Sequence, residues 1–250
     1  MYIDTHCHLQ SKYYENIDAV IKDNRKAGID KIIVSGCEIC EIKEVIEYAK
    51  KYDDVYLTLG FHPEYADSIN DIDISWLKEV VKNNNKVIGI GEIGLDYYYS
   101  KENRDRQINL FRKMLELASE LNLPVVIHSR NATLDTINIL KEYNVVGVIH
   151  CFSGSLETAN EYIKMGYYLG IGGVVTFKNS NLRDILKELS LDNIVLETDS
   201  PYLTPTPFRG KINSSKNIPL IAEELSNIFS VTCEEVSRRT INNTKSIFNI

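Results

Sequence analysis

Short apolar runs of strand length alternate with helical segments from one end of the chain to the other, and this alternation limits the fold more than any other feature. The runs are YIDTH at 2–6, KIIVS at 31–35, VYLTLG at 55–60, VIGIGE at 87–92, PVVIH at 124–128, VVGVIH at 145–150, YYLGIGG at 167–173 and NIVLET at 193–198. They are rich in β-branched residues, as expected of strands buried on both faces. Between them, the stretch 109–123 places Leu110, Met114, Leu117, Ala118 and Leu121 on one face of a helix. A second helical stretch, 156–166, ends at Gly166, a residue type that follows helices. Thr232 and Glu235 have the spacing of a capping box for a last helix. Regular alternation implies a parallel sheet with right-handed crossovers. Eight repeats in 250 residues favour a closed (β/α)8 TIM-like barrel, one domain over residues 1–250, rather than an open doubly wound sheet. No G-x-G-x-x-G follows the first strand, which lowers the dinucleotide-binding reading.

The chain holds five histidines, and the predicted strands place all of them alike. His6 and His8 end strand one, His62 follows strand three, His128 ends strand five and His150 ends strand six. Glu92 ends strand four and Asp199 follows strand eight. In a parallel barrel those strand ends meet on one face, where active sites are built. A single histidine there is commonly a hydrogen-bonding residue; five together point to metal. Side chains alternate along a strand, so His6 and His8 point the same way and can reach one cation, with Asp4 expected on that side too. Glu92 has two oxygens and can bridge two ions, the second held by His128 and His150. Imidazole and carboxylate suit Zn²⁺ or Mn²⁺, and carboxylate also admits Mg²⁺. Two such ions clamp the attacking and leaving oxygens of a hydrolysis. Asp199 has two compatible roles: it completes the first metal site and it moves a proton between water and leaving group.

Six short motifs in order then resemble the TatD family of metal-dependent hydrolases: DTHCHL at 4–9, GFHP at 60–63, GEIGLDYY at 91–98, LPVVIHSR at 123–130, HCFSG at 150–154 and ETDSPYL at 197–203. RGKIN at 209–213 is similar to a late family segment. The resemblance implies a TIM-like barrel with two divalent ions. His6, His8 and Asp199 match the first-site ligands, Glu92 the bridging ligand, and His128 and His150 the second-site ligands. It also implies Mg²⁺-dependent deoxyribonuclease activity, with DNA as the substrate, often as single strands cut from an end by metal-activated water. Some members are linked to D-aminoacyl-tRNA deacylation, so an ester or amide substrate is the alternative. Asn131 stands where the family usually has an acidic residue, and after Asn213 the residues Ser214 and Ser215 stand where it often has an acidic residue and Pro; both places are expected to rim the site and to bear on substrate preference.

Several residues outside the ligand set have two readings. Arg130 and Arg209 are candidate phosphate binders, since a guanidinium pairs with phosphate in a fork, or else rim salt-bridge formers. His62 is placed as a substrate or supporting contact, because Pro63 turns the chain away. Asp96 orients a metal-binding histidine or caps the following segment. Tyr97, Tyr98 and Tyr99 either stack bases or pack loops. Ser153 and Gly154 either offer backbone donors to a phosphate or belong to ordinary helix capping. Cys37 and Cys40 form a lone C-x-x-C, read as two small side chains near a strand end. A net charge of −7 argues against a broad basic surface for nucleic acid. Five cysteines, no leader pattern and no long apolar run fit a cytoplasmic protein without membrane contact or an obligate protein partner. A metal-binding scaffold without turnover is disfavoured because all six ligand positions are filled.

Overall fold

The computed structural model describes residues 1–98 and 102–250, so Tyr99 lies outside the described residues. Each apolar run forms a strand: β1 (Tyr2–Cys7), β2 (Ile29–Gly36), β3 (Val55–Leu59), β4 (Val87–Asp96), β5 (Val125–Arg130), β6 (Gly147–Ile149), β7 (Tyr168–Ile171) and β8 (Ile194–Leu196). They pair in parallel and in sequence order. The crossovers carry α1 (Ile17–Lys26), α2 (Ile39–Lys51), α3 (Asp71–Lys82), α4 (Arg104–Leu121), α5 (Thr133–Leu140), α6 (Leu156–Lys164) and α7 (Leu182–Lys187). Two further helices, α8 (Ile218–Phe229) and α9 (Cys233–Phe248), end the chain. The expected TIM-like barrel is therefore the fold.

Three local expectations need adjustment. Strand β4 does not stop at Glu92 but continues to Asp96, because its last residues pair with β5 as far as Arg130. Gly94 allows this: its φ is +144°, and a Cβ there would fall 1.9 Å from the His128 carbonyl oxygen. Helix α4 begins earlier than its apolar face, at Arg104, and ends on Asn122 in the left-handed region two residues before Pro124. The expected capping box of α9 is half formed. The Thr232 hydroxyl accepts from the Glu235 N–H, but the Glu235 carboxylate turns to Arg238 and Arg239 instead.

The barrel interior is layered. Ile33, Ile88, Val126, Val148 and Val195 form an apolar floor, and Phe248 from α9 packs into it. The larger apolar cluster lies between the strands and the helices. Above the floor the inward residues become polar, with Ser35 and Thr58 bonded across β2 and β3 at 3.1 Å. The residues of the site continue the inward parity of their strands: Cys37 comes two residues after Ser35, and His128, His150 and Glu197 two residues after the floor residues Val126, Val148 and Val195.

The seam between β8 and β1 closes beyond the end of β8. Cys7 bridges Ser200, the His8 N–H donates to the Ser200 carbonyl at 2.7 Å, and the Asp199 N–H donates to the His6 carbonyl at 3.0 Å. Asp4 holds this seam. It is fully buried and accepts from the His6 N–H, the Thr198 N–H and the Thr198 hydroxyl at 3.2, 3.0 and 2.6 Å. Asp4 keeps the parity expected of it beside His6 and His8, but its two oxygens are taken up by the closure. Asp4→Ala would strand three buried donors, each worth about 1–3 kcal/mol. We expect a loss of roughly 3 kcal/mol or more, measured by urea unfolding of the purified variant.

Candidate metal centre

Glu92 is the hub. Its carboxylate is almost wholly buried, which alone would push its pKa up, yet His150, His128 and His6 hold it well below the usual range. One oxygen serves each histidine pair. Oε2 lies 3.5 Å from His6 Nε2 and 3.7 Å from His8 Nε2. Oε1 lies 2.7 Å from His128 Nδ1 and 3.5 Å from His150 Nε2. His6 and His8 present their Nε2 atoms 3.3 Å apart, as strand alternation requires. Asp199 Oδ1 stands 3.7 and 3.6 Å from the same two nitrogens. Asp199 adopts a φ of +51°, and this turn brings its side chain back over β1.

These separations suit a shared cation. Ligand atoms bound tetrahedrally at about 2.1 Å lie roughly 3.4 Å from one another. The triangle of His6, His8 and Glu92 Oε2 has sides of 3.3, 3.5 and 3.7 Å. The second set, Glu92, His128 and His150, also gathers its ligand atoms within 4.8 Å. The donor types, imidazole and carboxylate, fit a divalent ion of the zinc, manganese or magnesium kind.

The histidines are braced from outside. His128 Nε2 lies 3.0 Å from Asp96 Oδ2, so Asp96 does orient a histidine of the site; its other oxygen accepts the Tyr98 N–H, while the N-cap position of α4 is Asn103. His150 Nδ1 lies 3.2 Å from Glu197 Oε1. Burial would lower His150, but Glu197, Glu92 and Asp199 outweigh it and raise it to about 10. That inversion reports an excess of negative charge, which a divalent cation would relieve while binding the neutral imidazole. His6, ring centroid 3.9 Å from His150, is driven down by burial and by that neighbour.

Glu197 was missed from the sequence, although it stands two residues before Asp199 in an otherwise apolar strand. It is fully buried, and its Oε1 also accepts the Cys151 N–H at 2.7 Å. Glycine is required opposite it, since a Cβ at Gly170 would sit 2.1 Å from its Oε2.

His62 faces the centre without joining either pair. The Glu64 N–H donates to its Nδ1, and a backbone N–H can only donate. Burial lowers His62 to about 4, so the ring is neutral and its proton sits on Nε2, 3.9 Å from Glu92 Oε1. His62 therefore offers the site an N–H donor.

At the rim, the Arg130 guanidinium lies over the Tyr98 ring at 3.8 Å, and Arg209 over Phe177 at 3.8 Å. Arg209 also donates to the Thr204 carbonyl. Tyr98 is exposed, whereas Tyr97 is buried with its hydroxyl on Asp135, so packing is the role of Tyr97. Ser153 is exposed, and Ser155 caps α6 by accepting the Thr158 N–H. The stretch 213–215 does not lie on the rim, since Asn213, Ser214 and Ser215 are all buried. Asn213 donates to the Thr198 and Tyr202 carbonyls, pinning the loop that carries Asp199. Cys37 and Cys40 remain separate thiols, the first buried and the second exposed.

The neutralising partner of His150 yields a direct expectation. Glu197→Gln should weaken metal binding at the second pair by about 10–100-fold, with the first pair less affected, in calorimetric titration of the metal-free protein.

Comparison with known proteins identifies the family. The family model described as TatD related DNase matches residues 3–249. An uncharacterized metal-dependent hydrolase of Bacillus subtilis, YabD, is 40% identical over 255 residues, covering 100% of both chains. The crystal structure of YjjV, a TatD homologue from Escherichia coli K12, superposes with a TM-score of 0.94 at 32% identity, covering 100% of this chain and 98% of that one. A TatD family hydrolase from Entamoeba histolytica gives a TM-score of 0.88 at 25% identity, covering 99% of this chain and 97% of that one.

Proposed function

The chain belongs to the TatD related DNase family, and from that premise we propose that it is a metal-dependent hydrolase that cleaves DNA phosphodiester bonds from the end of a single strand. The observation that carries the reading is the division of Glu92, with one oxygen toward His6 and His8 and the other toward His128 and His150. This arrangement supports two divalent ions, Mg²⁺, Mn²⁺ or Zn²⁺. His6, His8 and Asp199 would hold the first, His128 and His150 the second, and Glu92 both. When bound, such ions supply the positive charge that activates water and offsets charge building on phosphate.

The chain's own groups account for the remaining steps. Asp199 is the most accessible carboxylate of the centre, its side chain 15% exposed against 5% for Glu92. It takes the proton of the attacking water and returns it to the leaving oxygen. The His62 Nε2–H donates to a phosphoryl oxygen, a role that needs the neutral ring. Arg130 and Arg209 receive flanking phosphates. A guanidinium held flat on a ring is pre-organised, so less freedom is lost on seating a phosphate. With a net charge of −7, affinity for DNA rests on these few cations. No helix among the described residues is long and apolar enough to cross a membrane.

Digestion of end-labelled single-stranded DNA with added Mg²⁺ or Mn²⁺ tests the reading. A ladder shortened from one end is expected, abolished by chelation and slowed about 10²–10⁴-fold in Asp199→Asn. An Asp199→Asn protein of full activity would remove that residue from proton transfer. Turnover of D-aminoacyl-tRNA by metal-loaded protein that leaves DNA intact would assign an ester substrate instead. Arg130→Ala should raise KM for DNA several-fold with kcat little changed, and should reduce the salt dependence of binding by about one phosphate contact.

A further inference from the structure

Strand β2 sends alternate residues into the barrel. Ile33 lies in the apolar floor, Ser35 bonds Thr58, and Cys37 follows just past the strand end. Cys37 thus enters at the height of the histidines. Its Sγ is 3.8 Å from Glu92 Oε2, the oxygen that faces His6 and His8. The His8 imidazole is a second polar neighbour. The residue is held in place on both sides of its backbone: its N–H donates to Glu41 Oε2 at 3.2 Å and its carbonyl accepts the His62 N–H at 3.2 Å. A buried cysteine surrounded by apolar side chains acts as a small hydrophobe. This one instead faces an imidazole and a carboxylate that the two-ion reading makes ligands. A carboxylate oxygen at about 2.1 Å and a thiolate at about 2.3 Å on one ion lie roughly 3.1–3.7 Å apart, close to the separation seen here.

We infer that Cys37 is a sulfur ligand of the first metal position, a fifth donor beside His6, His8, Asp199 and Glu92, and that it biases this position toward zinc-like ions over Mg²⁺. The inference rests on the two-ion reading of the site. On ligation the S–H proton leaves to solvent as the sulfur–metal bond forms, so no oxidant or reductant is involved. Thiolate is a soft donor that suits Zn²⁺ and Co²⁺, whereas Mg²⁺ prefers an all-oxygen shell. The exposed Cys40 takes no part.

Titration of the metal-free full-length protein with Co²⁺, followed by absorption, tests this apart from activity. The expected result is visible d–d bands together with a near-ultraviolet sulfur-to-cobalt charge-transfer band. In Cys37→Ser the visible bands should persist, the near-ultraviolet band should vanish, and the preference for Zn²⁺ over Mg²⁺ should fall by at least about tenfold. Visible bands without a near-ultraviolet band in the unaltered protein overturn sulfur ligation and leave the metal centre standing. That spectrum decides the matter even if the variant fails to fold. A near-ultraviolet band that survives in Cys37→Ser assigns the sulfur elsewhere, with Cys151 the next candidate, and overturns the inference. Failure to take up cobalt at all overturns the two-ion reading together with it.

Discussion

The burial of Glu92 among imidazoles is the interaction on which the rest of the architecture depends. A lone carboxylate at that depth would be costly to ionise. Surrounded by His6, His8, His128 and His150 it stays charged, and in turn gathers the four rings around a small volume. The outer contacts serve this arrangement. Asp96 and Glu197 fix the orientation of His128 and His150 from behind, and Gly94 and Gly170 remove the side chains that would collide with β5 and with Glu197.

The barrel supplies the fixed distances. Its floor of Ile33, Ile88, Val126, Val148 and Val195, packed against Phe248, is apolar and close to the N-terminal side of the strands. Polar groups appear only above it. This layering lets buried charges coexist with a well-packed interior, because the charged layer opens toward the loops. The seam between β8 and β1 matters equally. The hydrogen bonds that close it also place Asp199 beside His6 and His8, so closure of the fold and assembly of the first ligand set are one event.

Two arginines lie over aromatic rings near the site, Arg130 over Tyr98 and Arg209 over Phe177. The loop after β8 is held by the buried amide of Asn213, which ties it to Thr198 and Tyr202.

The sequence by itself determined the alternation of strands and helices, the barrel, and the gathering of six candidate ligands at strand ends. The reason is local: a parallel strand has a period of two, and its C-terminal end must face the same side as its neighbours' ends. Side-chain parity also carried a sign of Glu197 and Cys37, two residues from Asp199 and Ser35, but parity alone does not say which polar group a side chain meets. Asp4 shows this plainly. It shares parity with His6, yet its oxygens are taken by the His6 N–H and by Thr198, because β8 arrives beside β1 only when the barrel closes. Only the tertiary structure decided the division of Glu92 between two histidine pairs, the bracing of His128 and His150, and the approach of Cys37 to Glu92. Each of these depends on strands far apart in the chain meeting across the barrel, which no local spacing records.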